Sequence, residues 1–302
     1  MLLYEILLFL AGFALMWYAS GLVVRGVERF SKDTNIPAFV SSFLILGVLT
    51  SLTEISVGLN SLLEGKPSIF VGNLIGGSFV IIMLIIPLLA IWSNGITLRH
   101  KLEKKRLLFF LVLIASPSFV ILDGLVSAYD GWLLLVLYVL FLNLFQSDEH
   151  LLDKFNRDSA SGSLWKDLGK IMLGALLIFA SGKILVDKTI VLSEVLHVSP
   201  MLVSLLLLSI GTNIPELTIA LRSIRLRHKE IAFGDYIGSA STNVLLFAVL
   251  TLINGSFTLE VAGFTPLFFI IIAGYVLFFL FARMKNRISP AEGLILILVF
   301  LA

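Results

Sequence analysis

Two glutamates lie inside apolar stretches of this chain, and each ends a short run of small and polar residues. Glu54 ends the segment 47–54, and Glu216 ends the segment 209–216. The oxygen-bearing neighbours are Thr50 and Ser51 in the first segment and Thr212 and Asn213 in the second. A carboxyl group inside a bilayer is costly, so such residues are rare and are commonly functional. Carboxylate, hydroxyl and amide oxygens are ligands of hard cations such as Ca2+. The two segments therefore predict a cation site.

The charges of the two glutamates indicate what this site would exchange. Two carboxylates balance one divalent cation, and they repel each other when the site is empty, which favours proton uptake. Gly47, Gly211 and Pro215 weaken regular helix nearby, and a helix break would turn backbone carbonyls toward a cavity. We therefore expect a divalent cation to exchange with protons or with sodium. The alternative for these polar side chains is a structural hydrogen bond between membrane helices.

The composition indicates what kind of protein positions these residues. The chain has 302 residues, of which 58% are hydrophobic and 14% charged, with a mean hydropathy of +1.03. Soluble domains are nearer to about 25% charged. Long, continuously apolar runs favour membrane-spanning helices over the alternating strands of a barrel. The sequence therefore predicts an all-α polytopic membrane protein, and the lack of cysteine excludes disulfides and thiolate metal sites.

Ten membrane spans are predicted along the chain. They cover roughly residues 2–25, 37–63, 69–92, 107–122, 127–145, 166–188, 199–221, 231–253, 263–282 and 289–302. With the N-terminus outside, the predicted inside loops hold 18 of the 22 basic residues, as the positive-inside rule requires. We therefore predict that both termini face outside. The compact chain suggests a prokaryotic plasma membrane.

The first three spans resemble spans six to eight. Tyr18-Ala19-Ser20-Gly21 is echoed by Phe179-Ala180-Ser181-Gly182, and the glycine-rich segment 72–78 is echoed by 234–240. Each half has five spans, an odd number, so the second copy must enter the membrane in the opposite sense. Inverted repeats are typical of secondary transporters, whose site lies at the midplane where the halves meet. The predicted units are a first repeat at 1–146, a cytoplasmic linker at 147–165 and a second repeat at 166–302.

Several residues of the repeats have a structural and a functional interpretation. The glycine-rich segments suit close helix packing, which would bring the third and eighth spans against the broken helices. Asp235 is either a structural residue near a helix start or a third carboxylate of the site. Asn243 lies deeper and is a better candidate for lining the site. Asp123 and Asp130 flank a turn, where turn formation or helix capping is expected.

These motifs resemble those of the Ca2+/cation antiporter superfamily, and especially those of prokaryotic sodium/calcium exchanger-type proteins. That family carries a Gly-Thr-Ser-Leu-Pro-Glu-like motif in each repeat and a Gly-Asn-x-Ile-Gly-Ser motif on the next helix. An Asp-Gly pair before the fifth span is matched here by Asp123-Gly124 and Asp130-Gly131. The resemblance covers both repeats. It implies two inverted five-helix repeats, with broken helices 2 and 7 at a central ion site.

The chain departs from the family motifs at several positions. The departures are Leu49 for Gly, Thr53 for Pro, Asn213 for Ser, Gly77 for Ser and Ile81 for Asn or Asp. In exchangers of this type the side chains at the places of 77 and 81 help to complete sodium sites. The loss of those oxygens makes proton coupling through the two glutamates an alternative to sodium coupling. Ser239 and Asn243 keep polar side chains at the matching places of the second half.

The resemblance implies an antiporter, not an enzyme, that exchanges Ca2+ for Na+ or H+ by alternating access and needs no cofactor. The candidate metal ligands are Glu54, Glu216, Thr50, Ser51, Thr212, Asn213, Ser239, Asn243, Gly47, Ser209 and Asp235. Alternatives are an exchanger of Mg2+ or Mn2+ and a member of the fold that binds cations without transporting them. The expected partners are Ca2+, a monovalent counter-ion and the lipid bilayer, with no nucleic acid and no obligatory protein partner.

Overall fold

Helices fill most of the chain that the structure describes, as the continuous apolar runs predict. The computed structural model describes residues 2–33, 51–97, 104–145, 164–218, 229–261, 263–285 and 287–301. The helices are α1 (Leu2–Asp33), α2 (Leu52–Leu63), α3 (Pro67–Val80), α4 (Ile86–Trp92), α5 (Lys104–Val120), α6 (Ala128–Phe145), α7 (Leu164–Leu196), α8 (Pro200–Val203), α9 (Ser209–Thr212), α10 (Lys229–Asn254), α11 (Phe264–Lys285) and α12 (Pro290–Leu301). π-Helical turns at Ile81–Ile85 and Ser204–Leu208 join α3 to α4 and α8 to α9. Four short strands lie in the connections: β1 (Ile96–Thr97), β2 (Leu125–Val126), β3 (Phe257–Thr258) and β4 (Arg287–Ile288).

Six helical stretches within the described residues are long and apolar enough to cross a membrane. They are Leu2–Val23, Pro67–Trp92, Leu168–Leu196, Pro200–Thr218, Tyr236–Asn254 and Phe264–Arg283. Helix also occupies most of the described parts of the other predicted spans, whereas 37–50 of the second, 219–221 of the seventh and 302 of the tenth lie outside the described residues. A predominantly helical membrane protein is thus confirmed, and the number of ten spans stays a prediction.

Local capping groups fix the start of the last helix of each half. Ser127 donates hydrogen bonds from N and Oγ to Asp130 Oδ2, at 2.8 and 2.7 Å, where α6 begins. Ser289 donates in the same way to Glu292 Oε2, at 2.7 Å from each atom, where α12 begins. Such pairs satisfy groups that a helix start leaves without partners. Asp123 accepts from Leu125 N at 3.0 Å in the preceding turn, so the turn and capping roles expected of Asp123 and Asp130 are confirmed.

Contacts between α1 and α7 are reciprocal. A Cβ placed on Gly12 would lie 3.0 Å from Leu185 Cδ2, and one placed on Gly174 would lie 2.5 Å from Val23 Cγ2. Each helix therefore receives a branched side chain of the other at one of its glycines.

Reciprocal contacts also join the other elements of the two halves. β1 pairs with β4 and β2 pairs with β3, in two antiparallel ladders that each link one half to the other. Gly131 of α6 packs against α10, and its counterpart Gly293 of α12 packs against α4. Ser78 Oγ donates at 3.3 Å to the carbonyl of Ala240, its own counterpart 162 positions later. Contacts of this kind are expected between two copies related by an approximate two-fold axis.

The buried apolar residues of the described chain form one large cluster and two small ones. The large cluster joins α3, α4 and the π turn between them with α5, α6, α10 and α11. The second cluster joins α1 and α7 to Val57 of α2 and Leu208 of the seventh span. The third is formed by Ala19, Val23 and Ile178 on α1 and α7. The α1–α7 pair therefore packs beside the main core, and α2 and the seventh span lie at the boundary between them.

Candidate cation site

Glu54 lies at this boundary, in the first turn of α2, and is 3% exposed. The start of a helix favours a negative charge. Thr53, also buried, donates a hydrogen bond from Oγ1 to Glu54 Oε2 at 2.5 Å. Ser51, at the N-cap of α2, is buried as well. The predicted ligands Thr50 and Gly47 lie outside the described residues.

Glu216 lies just beyond an interruption of the seventh span and is 1% exposed. Helix α9 ends at Thr212, Asn213 forms a turn, and helix resumes over 214–218. Pro215 accounts for the interruption, because it has no N–H to donate to the carbonyl four residues before it. The break predicted for the seventh span is therefore present beside the second glutamate.

Helix α3 packs against α2, α9 and α10, which carry other predicted ligands. A Cβ on Gly72 would overlap a backbone carbonyl of α8, and one on Gly76 would overlap a carbonyl of the following π turn. The packing interpretation is thus confirmed for these two glycines. Gly238 of α10, by contrast, is exposed and has no described atom within 4 Å of a Cβ placed on it.

The close approach of α3 and α9 joins two buried polar side chains. Thr212 Oγ1 lies 3.1 Å from Asn73 Oδ1, to which it donates, and 3.3 Å from Ser209 O. Ser209 Oγ donates to Leu205 O at 2.5 Å, so its proton is used within its own helix. Asn73 Nδ2 has no hydrogen-bond partner among the described residues. Sequence reasoning missed Asn73, although its place in the repeated glycine motif was a signal.

Two amide side chains from different elements meet beside Gly77 of α3. A Cβ placed on Gly77 would lie 2.9 Å from Asn243 Nδ2 and 3.1 Å from Asn213 Nδ2. Asn213 Nδ2 donates to Ser209 O at 2.7 Å, and Asn243 Nδ2 donates to Ser78 Oγ at 3.4 Å. The seventh span, α3 and α10 therefore converge at this point.

The remaining predicted ligands lie on α10. Ser239 is buried, and the side chain of Asp235 lies outside the described residues. Sequence reasoning also missed Thr53, because its one signal was that it stands where the resembled motif has proline. No group of three or more His, Cys, Asp or Glu in the described part of the chain could hold a metal. A cation held by the described residues would thus rely on neutral oxygens beside the carboxylates.

The comparison with known families decides which kind of protein carries this arrangement. A model of the family "Sodium/calcium exchanger protein" matches residues 4–146 and 167–302. The chain belongs to this family. Its members are transporters rather than enzymes, and the six apolar spans agree with an integral membrane protein.

Individual relatives and solved structures agree with the family assignment. The chain is 23% identical over 345 residues to the sodium/calcium exchanger MaX1 of Methanosarcina acetivorans, covering 100% of this chain and 98% of that protein. The crystal structure of the H+/Ca2+ exchanger CAX superposes with a TM-score of 0.74 at 15% identity, covering 98% of this chain and 80% of CAX. The sodium-calcium exchanger NCX_Mj, soaked with Na+ and Sr2+, gives a TM-score of 0.64 at 23% identity, covering 100% and 98%. These two structures share the fold of this chain.

Proposed function

We propose that the protein is a secondary active antiporter that exchanges Ca2+ for Na+ or H+ by alternating access. The observation that carries this proposal is the burial of one glutamate in each half of a membrane protein, at 3% exposure for Glu54 and 1% for Glu216. A carboxylate in such a place is unfavourable unless a cation or a proton accompanies it. The pair matches the charge of one divalent cation.

The neutral side chains around the glutamates support a site for a hard cation. Thr212, Asn213 and Asn243 place hydroxyl and amide groups where α3, α10 and the seventh span meet. Ca2+ accepts six to eight such oxygens in irregular geometry. Ser51, Ser239, Ser209, Thr50, Gly47 and Asp235 complete the proposed set.

The proposed architecture is two inverted five-helix repeats, at 1–146 and 166–302, joined by a cytoplasmic linker at 147–165. The reciprocal ladders and the Ser78–Ala240 hydrogen bond support a two-fold relation between the halves. An even number of spans puts both termini on the same side of the membrane, and the distribution of basic residues supports the outside of a prokaryotic plasma membrane. A site between inverted halves opens to either side when one half moves against the other.

Coupling follows from the charge of the glutamate pair. With neither cation nor proton bound, two buried carboxylates repel each other and resist the change of state. Binding of one Ca2+, or of the counter-ions, removes that repulsion. The transporter therefore changes sides only when it is loaded, which is the condition for exchange.

The test is calcium-45 flux in proteoliposomes, with the voltage clamped by potassium and valinomycin. A sodium gradient and a proton gradient are imposed separately, and the Glu54→Gln/Glu216→Gln double variant is the control. Flux driven by sodium or by protons in the wild type alone is the expected result, and it identifies the counter-ion. Absence of flux under both gradients would overturn the proposal. Stronger competition by Mg2+ or Mn2+ than by unlabelled Ca2+ would reassign the divalent substrate.

A further inference from the structure

Gly77 lies where side chains from two other elements converge, and it leaves no room for a side chain of its own. The distances from its Cβ position, 2.9 Å to Asn243 Nδ2 and 3.1 Å to Asn213 Nδ2, are shorter than ordinary van der Waals contacts. A single methyl group there would have to displace both amides. Both amides are buried, so they have little space into which to move.

The hydrogen bonds fix the direction of the Asn213 amide. Ser209 O is an acceptor only, so the atom of Asn213 that lies 2.7 Å from it must be the nitrogen. The other end of the amide, Asn213 Oδ1, is then a carbonyl oxygen. It is buried and has no hydrogen-bond partner among the described residues. A buried carbonyl oxygen without a donor is unfavourable, and a bound cation would satisfy it.

The side chains at 77 and 213 are complementary in size. The motifs that this chain resembles have serine at both positions, whereas this chain has glycine at 77 and the longer asparagine at 213. The space lost by one side chain is therefore taken by the other. The exchange replaces a hydroxyl oxygen by an amide oxygen, which has a larger dipole and no charge.

We propose that Gly77 is a positioning residue for cation binding, because it admits the Asn213 amide whose Oδ1 serves as a neutral ligand of a hard divalent cation. This inference rests on the proposed function, since the cation is the one that Glu54 and Glu216 would balance. A neutral ligand adds an oxygen without adding charge, so the two carboxylates still match one divalent ion. The chemistry that the site takes is that of Ca2+ rather than of a soft metal.

The test uses the full chain in detergent and measures how its melting temperature rises with Ca2+, which reports binding without requiring transport. Gly77→Ala is expected to raise the half-saturating Ca2+ concentration by about tenfold, since the methyl group displaces both amides. Gly238→Ala is the matched control, because a Cβ there meets no described atom within 4 Å. It is expected to leave the half-saturating concentration unchanged.

A double-mutant cycle separates positioning from simple loss of stability. The cycle is made in an Asn243→Ala background, because a methyl group at 77 would displace that amide as well. In that background Asn213→Ser is expected to weaken Ca2+ binding by about tenfold, and adding Gly77→Ala to it should cost less than about threefold more. Independent, multiplying effects of the two changes would overturn the inference, as would equal affinities for Gly77→Ala and Gly238→Ala. If Gly77→Ala does not fold, Asn213→Ala removes the amide without crowding, and normal Ca2+ affinity in that variant would overturn the inference.

The outcomes distinguish this inference from the proposed function. Coupled effects on Ca2+ binding in a protein that gives no flux would support the pair and overturn the antiporter. Normal flux, together with independent effects of the Gly77 and Asn213 variants, would support the antiporter and overturn the pairing of Gly77 with Asn213. A wild-type protein that Ca2+ does not stabilise at any concentration would overturn the inference, because no divalent site would exist for the pair to serve.

Discussion

The surroundings of Glu54 and Glu216 differ at several equivalent positions, although Thr50 and Thr212 match. Beside Glu54 stands Thr53, which donates to its carboxylate, whereas beside Glu216 stands Pro215, which has no donor. On the following long helix, the first half carries the apolar Ile81, and the second half carries Asn243 at the same place. The two copies have kept the carboxylate and redistributed the neutral oxygens around it.

The scaffold of the two halves has diverged much less than the site. The capping pairs, the two ladders and the contacts of Gly131 and Gly293 occur at matching positions in both halves. Close backbone packing leaves few alternatives for a glycine or a cap. A ligand position can change more easily, because an oxygen lost in one half can be supplied by a side chain from the other half.

The largest effect is expected where the halves are alike. Glu54→Gln and Glu216→Gln should each lower Ca2+ flux by about 100-fold or more, because each removes half of the charge that balances a divalent cation. Initial rates of calcium-45 uptake in proteoliposomes measure this. Glu260→Gln, at an exposed position, is the control and should keep the normal rate. Normal flux in either buried variant would show that the two glutamates are not equivalent partners of the cation.

The next prediction compares the equivalent positions 81 and 243 of the two halves. Asn243→Ala should lower the apparent affinity for Ca2+ by about tenfold, because it removes an amide from the point where three elements converge. Ile81→Ala should leave that affinity within about twofold and instead destabilise the fold by about 2–4 kcal/mol, since Ile81 is fully buried and a cavity would remain. Ca2+-dependent flux and thermal unfolding measure the two quantities. A loss of affinity in Ile81→Ala as large as in Asn243→Ala would contradict the asymmetry.

A smaller effect tests Thr53, whose place in the second half is taken by Pro215. Thr53→Val should weaken Ca2+ binding by about three- to tenfold, because the Glu54 carboxylate loses a hydrogen bond that fixes its orientation. Thr53→Ser keeps the hydroxyl and should bind Ca2+ nearly as well as the wild type. Titration of the melting temperature with Ca2+ compares the three proteins. Equal weakening in Val and Ser variants would mean that packing, not the hydrogen bond, is what Thr53 provides.

The sequence was sufficient to predict a predominantly helical membrane protein and to identify which residues are costly to bury. Both glutamates were predicted within spans, and the interruption beside Glu216 was predicted from Gly211 and Pro215. It was not sufficient for Asn73 or Gly77, because their roles depend on which side chains of distant elements face them. That register is set by how closely α3 approaches the seventh span, and spacing along one chain does not report it. Ser209 was predicted as a ligand, but its hydroxyl donates to Leu205 O four residues before it. Any serine within a helix can form such a bond, so the sequence alone does not distinguish the two roles.

The smallest effect tests whether the scaffolds are as equivalent as their contacts indicate. Asp130→Ala and Glu292→Ala should each destabilise the fold by about 1 kcal/mol, because each removes the acceptor of a capping pair with the same two donors. Thermal unfolding should show similar losses for both variants, and the half-saturating Ca2+ concentration should stay that of the wild type. Glu194→Ala, at an exposed position, serves as the control. If one cap mattered and the other did not, the two last helices would be held by different interactions, and the divergence seen around the glutamates would extend into the scaffold.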